Sequence, residues 1–148
     1  MPIATRAAEI VWEGSLAAGA GTLSSGSGAL ALPVTWASRT EQPGGKTSPE
    51  ELIAAAHASC LAMALSLVLG EAHTPPERVT IGAECTLDEV DGAPKITTVA
   101  LTVRARVPGI EKAAFDDALG RAAALCPVSN ALRGNVEIDV NGELESGS

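Results

Sequence analysis

The sequence predicts a mixed fold of the α+β class, in which antiparallel strands and helices occupy separate stretches of the chain. Residues 79–87 and 99–107 alternate apolar and polar side chains on either side of Asp91-Gly92, a pattern typical of a β-hairpin. Residues 52–69 form one long apolar stretch behind a helix-start signal. Short apolar segments separated by glycine and serine fill the first third of the chain, which favours a small antiparallel meander.

The length and composition of the chain limit its organisation and its possible functions. Its 148 residues indicate one domain, spanning residues 1–148. The formal net charge is −8 and the acidic residues are scattered, so we expect no nucleic-acid partner. Three cysteines do not suggest a secreted disulfide scaffold, and the N-terminus lacks the basic and apolar regions of a signal peptide. We therefore expect a cytoplasmic protein.

The segment before the long helix is predicted to contain three strands and a loop. The candidate strands are residues 9–12, 19–23 and 29–32, which are separated by turn-forming glycine and serine. The polar stretch from Ser38 to Thr47 is predicted to be a loop.

The long helix has the clearest start signal in the chain. Ser48 can cap the helix, Pro49 suits its first position, and Glu51 completes the pattern of a capping box. The helix is predicted to continue to Leu69 and to stop at Gly70.

The helix carries no formal charge between residues 52 and 69, a length that could cross a membrane. His57, Ser59 and Ser66 interrupt this stretch, and no basic residues flank it. We therefore expect no membrane partner and predict a helix that is buried on every side within a soluble fold.

The C-terminal part is predicted to return to helix and then strand. An amphipathic helix spans residues 110–125, and Cys126-Pro127 starts a short second helix that ends near Gly134. Residues 136–140 alternate as a final strand, and residues 143–148 form a polar tail that is expected to fray.

The three cysteines have different expected environments. Cys85 lies on the apolar side of a strand and is interpreted as a core residue. Cys126 lies at a helix N-terminus, which lowers the pKa of a thiol and favours a reactive cysteine over a merely structural one. Cys60 lies within the apolar helix, where its thiol would be inert unless another segment supplied a positive charge.

Candidate partners for Cys60 can be named from the flanking sequence. Arg39, with Lys46, is the nearest basic residue in the preceding loop, and Glu50 or Glu51 could hold an arginine in a bidentate pair. His57 lies three positions before Cys60 on the same helix face, either as a packed histidine or as part of a site. Because the cysteines and histidines lack zinc-ligand spacing, we expect no metal. The sequence has no Walker-type phosphate loop and no Gly-x-Gly-x-x-Gly motif, and we expect no bound cofactor.

Two segments resemble the signature motifs of the OsmC/Ohr family, the osmotically inducible protein C and organic hydroperoxide resistance proteins. The segment from Thr47 to Ser66, TSPEELIAAAHASCLAMALS, is similar to the family's helix with its first cysteine. The segment from Cys126 to Leu132, CPVSNAL, is similar to the motif around its second cysteine. Trp12-Glu13-Gly14 and the segment from Val107 to Ile110 are similar to the OsmC branch.

This resemblance implies a fold, an assembly and an enzyme. The fold is OsmC-like, with antiparallel sheets around long central helices in an intertwined homodimer. The activity is a cysteine-based peroxidase that reduces organic hydroperoxides and, more weakly, hydrogen peroxide. By position, Cys60 is the thiol that attacks the peroxide and Cys126 is the resolving thiol. Arg39 and Glu50 match the family's arginine and glutamate, and the reductant is an external dithiol, such as a lipoyl-type donor.

A different class of function is compatible with the same residues. A thiol sensor or an apolar-ligand-binding dimer would use the cysteines or the apolar surface without turnover. Such a protein would be oxidised stoichiometrically and would not cycle with any dithiol. A structural stress protein, in which the cysteines have no role, is a further alternative.

Overall fold

The computed structural model describes residues 1–145. The chain forms two compact units, with the boundary after Leu52. One unit spans Met1–Leu52, and the second begins at Ile53. The long helix belongs to the first unit at its start and to the second over most of its length. That residues 1–148 form a single domain stays a prediction.

The first unit contains the predicted meander. Strands β1 (Ala8–Glu13), β2 (Ala20–Ser25) and β3 (Ala31–Val34) form an antiparallel sheet in the order β1-β2-β3. Gly21 pairs with Trp12 on one side and with Val34 on the other. A Cβ atom on Gly21 would lie 2.9 Å from the Trp12 ring, so this position accommodates the neighbouring side chains only because it is glycine.

A short helix, α1 (Trp36–Thr40), occupies the start of the segment that was predicted to be a loop. Thr35 caps it: its hydroxyl accepts a hydrogen bond from the Ser38 N–H at 3.0 Å, and the Ser38 hydroxyl accepts from the Thr35 N–H at 2.9 Å. The loop prediction is therefore wrong for residues 38–40. A serine takes the position that usually carries Glu or Gln, and this weakens the sequence signal for the capping box.

Helix α2 (Pro49–Glu71) begins where the sequence predicts and runs two residues beyond the predicted end at Leu69. The Glu51 N–H donates to the Ser48 hydroxyl at 3.2 Å, as expected for a cap, while the Glu51 carboxylate accepts from the Thr47 hydroxyl at 2.8 Å. The helix continues through Gly70, where an added Cβ would meet nothing within 4 Å.

One face of α2 is buried within the chain and the other is not. Leu61, Leu65 and Val68 are fully buried, whereas Met63 is 72% exposed and Leu67 is 56% exposed. The prediction of burial on every side is therefore wrong for the single chain. By length and composition α2 could also cross a membrane, although 39% of its most apolar window is buried. The absence of a membrane partner stays a prediction.

The second unit contains a sheet in the order β4-β5-β6. Strands β4 (Arg78–Val90) and β5 (Ala93–Arg106) form the predicted antiparallel hairpin. Its two turn residues, Asp91 and Gly92, have φ angles of 52° and 80°. Positive φ at both positions is typical of the tight hairpin turn that an Asp-Gly pair favours.

Strand β6 (Glu137–Leu144) pairs with β5 in parallel, so the expectation of antiparallel sheets does not hold for this pair. Parallel neighbours need a crossover connection, and helices α3 (Lys112–Leu125) and α4 (Pro127–Leu132) supply it. The strand also extends into the predicted polar tail, where the Glu145 N–H donates to the Ala105 carbonyl at 2.8 Å. The rest of that tail, residues 146–148, lies outside the described residues.

The core of the second unit joins all its elements. Buried residues of α2, β5 and α3 form one cluster, whose largest member is Phe115. Gly142 of β6 faces Phe115 and Leu119 closely enough that an added Cβ would collide with the Leu119 side chain. This core fixes the middle of α2 relative to α4, and both carry a cysteine.

Candidate active site

Cys60 and Cys126 come together in the second unit although they are distant in sequence. Cys60 lies in the middle of α2 and is partly buried, and Cys126 is fully buried at the junction of α3 and α4. Their thiols lie close enough for each to shift the pKa of the other. The backbone of Cys126 is held by both helices, since its N–H donates to the Ala122 carbonyl and its carbonyl accepts from the Asn130 N–H.

The surroundings shift the two thiols in opposite directions. Burial raises the pKa of Cys60 above its ordinary value, and the Val128 N–H only partly opposes this. Burial also acts to raise the pKa of Cys126, but the N–H and hydroxyl of Ser129, the Cys60 thiol and the Val128 N–H lower it below its ordinary value. Of the two thiols, Cys126 therefore loses its proton more readily, as its place at a helix start predicts.

Cys126 makes no regular side-chain cap hydrogen bond at the start of α4. The N–H groups of the first turn nevertheless favour its thiolate, and the Ser129 hydroxyl adds a side-chain donor. Ser129 was not predicted to be a site residue from the sequence. The available signal was its position in Cys126-Pro127-Val128-Ser129, because the residue three positions after a helix N-cap faces the cap.

His57 extends this cluster beyond the cysteines. It is fully buried, and its Nε2 atom lies 2.6 Å from the Ser129 Oγ atom. Burial lowers the pKa of His57, so the imidazole is neutral at neutral pH. Within residues 1–145, its Nδ1 atom has no hydrogen-bond partner. The sequence left open whether His57 is a packed histidine or a site residue. The structure shows that it is buried and hydrogen-bonded to Ser129, three positions after Cys126.

Arg39 and Glu50 form a second charged group, within the first unit. The Arg39 Nε atom donates to Glu50 Oε1 at 3.0 Å and its Nη2 atom donates to Oε2 at 2.9 Å. The Glu50 side chain is 9% exposed, against 29% for Arg39. Glu50 is thus the bidentate partner of the arginine, while Glu51 bonds to Thr47 instead. The pair leaves the Nη1 atom of Arg39 outside it.

An apolar groove of about 350 Å³ lies beside Arg39 in the same unit. Its walls include Trp12, Leu23 and Trp36, and Arg39 is the charged side chain among the described residues that line it. The guanidinium lies 6.0 Å from the centre of the Trp36 ring, within reach of a cation–π contact. The groove can therefore hold an apolar group next to a fixed positive charge.

The remaining candidates are placed as follows. Cys85 lies on β4 and packs against the core cluster, in keeping with its interpretation as a core residue. Among residues 1–145, no group of three or more His, Cys, Asp or Glu side chains could hold a metal ion.

Comparison with known proteins agrees with these features. A model of the OsmC-like protein family matches residues 42–141, a segment that includes both cysteines of the cluster, His57 and Glu50. The chain belongs to the OsmC family.

The sequence relatives of this OsmC-family chain have informative names. It is 45% identical over 129 residues to Peroxiredoxin OsmC of Escherichia coli K12, covering 86% of this chain and 90% of the relative. It is 31% identical over 98 residues to an organic hydroperoxide resistance protein of Xanthomonas axonopodis, covering 64% of this chain and 66% of the relative. The predicted family is confirmed, and the names agree with the predicted enzyme class, a cysteine-based peroxidase.

Solved structures support the fold. An organic hydroperoxide resistance protein from Elizabethkingia anophelis matches with a TM-score of 0.76 at 26% identity, covering 97% of this chain and 99% of that one. A protein from Legionella pneumophila described as an organic hydroperoxide resistance protein OsmC matches with a TM-score of 0.75 at 24% identity. The predicted α+β, OsmC-like fold is therefore confirmed.

Proposed function

We propose that this OsmC-family chain is a thiol peroxidase that reduces organic hydroperoxides, and hydrogen peroxide more weakly, with Cys60 as the attacking thiol and Cys126 as the resolving thiol. The observation that carries the proposal is the proximity of the two thiols, which influence each other's pKa and are held on different helices of one core. Two thiols that lie this near each other can form a disulfide without unfolding of the chain. The names of the relatives support the peroxidase class.

The proposed reaction has two chemical steps within the protein. The Cys60 thiolate attacks the distal oxygen of the hydroperoxide, the O–O bond breaks, and the alkoxide takes a proton to leave as the alcohol, so that Cys60 becomes a sulfenic acid. The Cys126 thiolate then attacks the Cys60 sulfur and displaces hydroxide, which takes a proton to become water. The peroxide gains two electrons, and the thiol pair loses two as it forms the disulfide.

An external dithiol closes the cycle. One of its thiolates attacks the disulfide, and its second thiol releases the mixed disulfide, which restores both cysteines and oxidises the donor. A lipoyl-type donor fits this chemistry, because its two sulfurs close a ring on oxidation. We place the cycle in the cytoplasm, where the reducing environment keeps thiols reduced.

We assign to Arg39 the positive charge that Cys60 needs. Burial raises the pKa of Cys60, and no cation appears among the causes of that shift, so its thiolate requires outside stabilisation. The bidentate bond to Glu50 fixes the guanidinium and leaves its Nη1 atom outside the pair, where it can donate to a peroxide oxygen. The assignment to Arg39 and Glu50 follows the resemblance of this chain to the OsmC branch.

The groove beside Arg39 is a further argument that the substrate is an organic hydroperoxide. An alkyl or aryl hydroperoxide combines an apolar body with a polar O–O–H end, and the groove combines tryptophan and leucine walls with one guanidinium. Hydrogen peroxide lacks the apolar body and gains nothing from those walls. This difference accounts for the proposed preference for organic hydroperoxides.

The working unit is proposed to be a homodimer. Met63 and Leu67 of α2 and Ile10, Val11 and Leu16 of the first unit are large apolar side chains that are more than half exposed in the single chain. Exposed apolar surface of this kind marks an interaction site. A second copy of the chain fits it, because a partner would bury the apolar α2 face that the core leaves uncovered.

The test is a steady-state assay of the reduced protein with cumene hydroperoxide and dihydrolipoamide. We expect continuous loss of peroxide, abolished in Cys60→Ser, and a single oxidation without cycling in Cys126→Ser. Cys85→Ser is the matched control and should retain turnover. Peptide mapping of the oxidised protein should find Cys60 linked to Cys126. Wild-type turnover in Cys60→Ser, or one stoichiometric oxidation of the wild type with no cycling, would contradict the proposal.

A further inference from the structure

We propose that His57 is a positioning residue for the resolving thiol: through the hydrogen bond to Ser129, it orients the Ser129 hydroxyl to donate to the Cys126 thiolate as that thiolate attacks oxidised Cys60. This inference rests on the proposed peroxidase cycle. It concerns a residue that acts on the Cys126 sulfur through Ser129.

The first support is geometric. His57 and Ser129 are both buried, and the 2.6 Å between Nε2 and Oγ makes a short hydrogen bond across 72 positions of sequence. Cys126 is the N-cap of α4 and Ser129 is its third residue, so about one helical turn separates them. The Ser129 hydroxyl that bonds to the imidazole is also one of the groups that lower the pKa of the Cys126 thiol.

The second support comes from counting hydrogens. The Ser129 hydroxyl has one hydrogen, so if it donates to the Cys126 thiolate it must accept from His57. His57 then carries its proton on Nε2 and has a bare Nδ1. Within the described part of the chain, the buried Nδ1 atom has no hydrogen-bond partner. A buried acceptor without a partner is less unusual than a buried N–H without one, which favours this tautomer.

The third support is the state of the imidazole. Burial lowers the pKa of His57, so the ring stays neutral and does not give a proton to the thiolate. Ser129, which is hydrogen-bonded to this ring, is one of the groups that lower the pKa of the Cys126 thiol. A neutral imidazole that donates to Ser129 orients the Ser129 hydroxyl toward the Cys126 sulfur. This stabilises the Cys126 thiolate and leaves it nucleophilic.

The role in the reaction is limited to the second step. Cys126 loses its proton, its sulfur attacks the Cys60 sulfenic sulfur, and the S–O bond breaks. The departing hydroxide takes one proton, so the balance is one sulfenic acid and one thiol giving one disulfide and one water. His57 and Ser129 keep their own protons throughout. Loss of either is expected to slow disulfide formation about tenfold, the scale of a hydrogen bond to a charged group, and to spare sulfenic acid formation.

The experiment is a single turnover with cumene hydroperoxide without reductant, quenched at intervals and analysed by mass spectrometry of the Cys60 and Cys126 peptides. We expect His57→Leu and Ser129→Ala to accumulate the Cys60 sulfenic acid and to form the disulfide about tenfold more slowly. His57→Gln should restore most of the rate, because its amide nitrogen can donate to Ser129 as Nε2 does. The other histidine of the chain, exposed His73, supplies the control His73→Gln, which should behave as wild type.

A double variant separates a positioning role from a structural one. If His57 acts through Ser129, His57→Leu combined with Ser129→Ala should form the disulfide no more slowly than Ser129→Ala alone. Additive losses, or a wild-type rate in His57→Leu and Ser129→Ala, would overturn the inference. If His57→Leu does not fold by circular dichroism, Ser129→Ala and His57→Gln carry the same test. A wild type that forms no Cys60–Cys126 disulfide would instead overturn the proposed function.

Discussion

The Nε2 atom of His57 lies 2.6 Å from the Oγ atom of Ser129, a hydrogen bond that joins the middle of α2 to the first turn of α4. Both side chains are buried, and each is three positions from a cysteine, His57 from Cys60 and Ser129 from Cys126. One turn of helix separates residues three or four apart. The bond between the polar residues therefore joins the two helices about one turn from each cysteine.

Stability should decrease below about pH 6.5 because of His57. Burial lowers its pKa in the folded state from the model-peptide value of 6.5, so the unfolded chain binds the proton more readily. The stabilising contribution is complete above about pH 6.5 and is lost as pH falls toward the lowered folded-state pKa. Urea unfolding at a series of pH values should show this slope, and His57→Gln should reduce it. His73→Gln is the control, and an equal reduction there would contradict the assignment.

Removing the Arg39 charge should cost both stability and activity. Arg39→Met leaves the nearly buried Glu50 carboxylate without its partner, and we expect the free energy of unfolding to fall by about 2 kcal/mol, below the value for a fully buried pair because Arg39 is partly exposed. Hydroperoxide turnover should fall roughly 100-fold if Arg39 stabilises the reacting oxygen.

Two further variants distinguish these effects of Arg39. Arg39→Met combined with Glu50→Gln should recover part of the stability, because no buried charge is left unpaired, without recovering turnover. Arg39→Lys keeps a positive charge but cannot make the bidentate bond, so its turnover should lie between those of wild type and Arg39→Met. If Arg39→Met keeps wild-type turnover, Arg39 has no role in the reaction.

The parts of the fold that were predicted correctly are those with a local signal. Ser48-Pro49 marks the start of α2, and Asp91-Gly92 marks the hairpin turn, because each places the required backbone geometry within a few residues. The parallel pairing of β6 was not predicted, because alternation of side chains gives a strand but not its direction. Helix α1 was missed because its cap uses Ser38.

In the candidate site, too, the features with a local sequence signal were predicted and those without one were not. The pairing of Arg39 with a glutamate was predicted from the short separation of their segments. In the structure Arg39 pairs with Glu50, and Glu51 bonds to Thr47. Ser129 was not found from sequence, since its partner His57 lies on another helix and only the packed core brings them together. Short-range chemistry was readable in the sequence, whereas a hydrogen bond between distant segments was not.

Gly142 should be intolerant of a larger side chain. An added Cβ would collide with Leu119 and lie 3.2 Å from the Phe115 ring, so Gly142→Ala would push α3 away from β6. We expect the free energy of unfolding to fall by about 1–3 kcal/mol, as in other overpacked cores. Gly70→Ala is the matched control: the added methyl group meets nothing within 4 Å, and the helix should gain up to about 1 kcal/mol. Equal effects of the two substitutions in urea unfolding would show that the contact is not tight.

The exposed apolar face of α2 should control assembly. Light scattering at micromolar concentration should give the mass of a dimer for the wild type, and Leu67→Glu should shift the protein toward monomer, because a charge would be buried against the partner. Ala124→Glu is the matched control, since it adds the same charge to an exposed position of α3, and it should remain dimeric. A wild-type mass equal to one chain would contradict the proposed dimer. If Leu67→Glu is monomeric but keeps full peroxide turnover, each active site is complete within one chain; loss of turnover in a folded monomer would show that the second copy completes it.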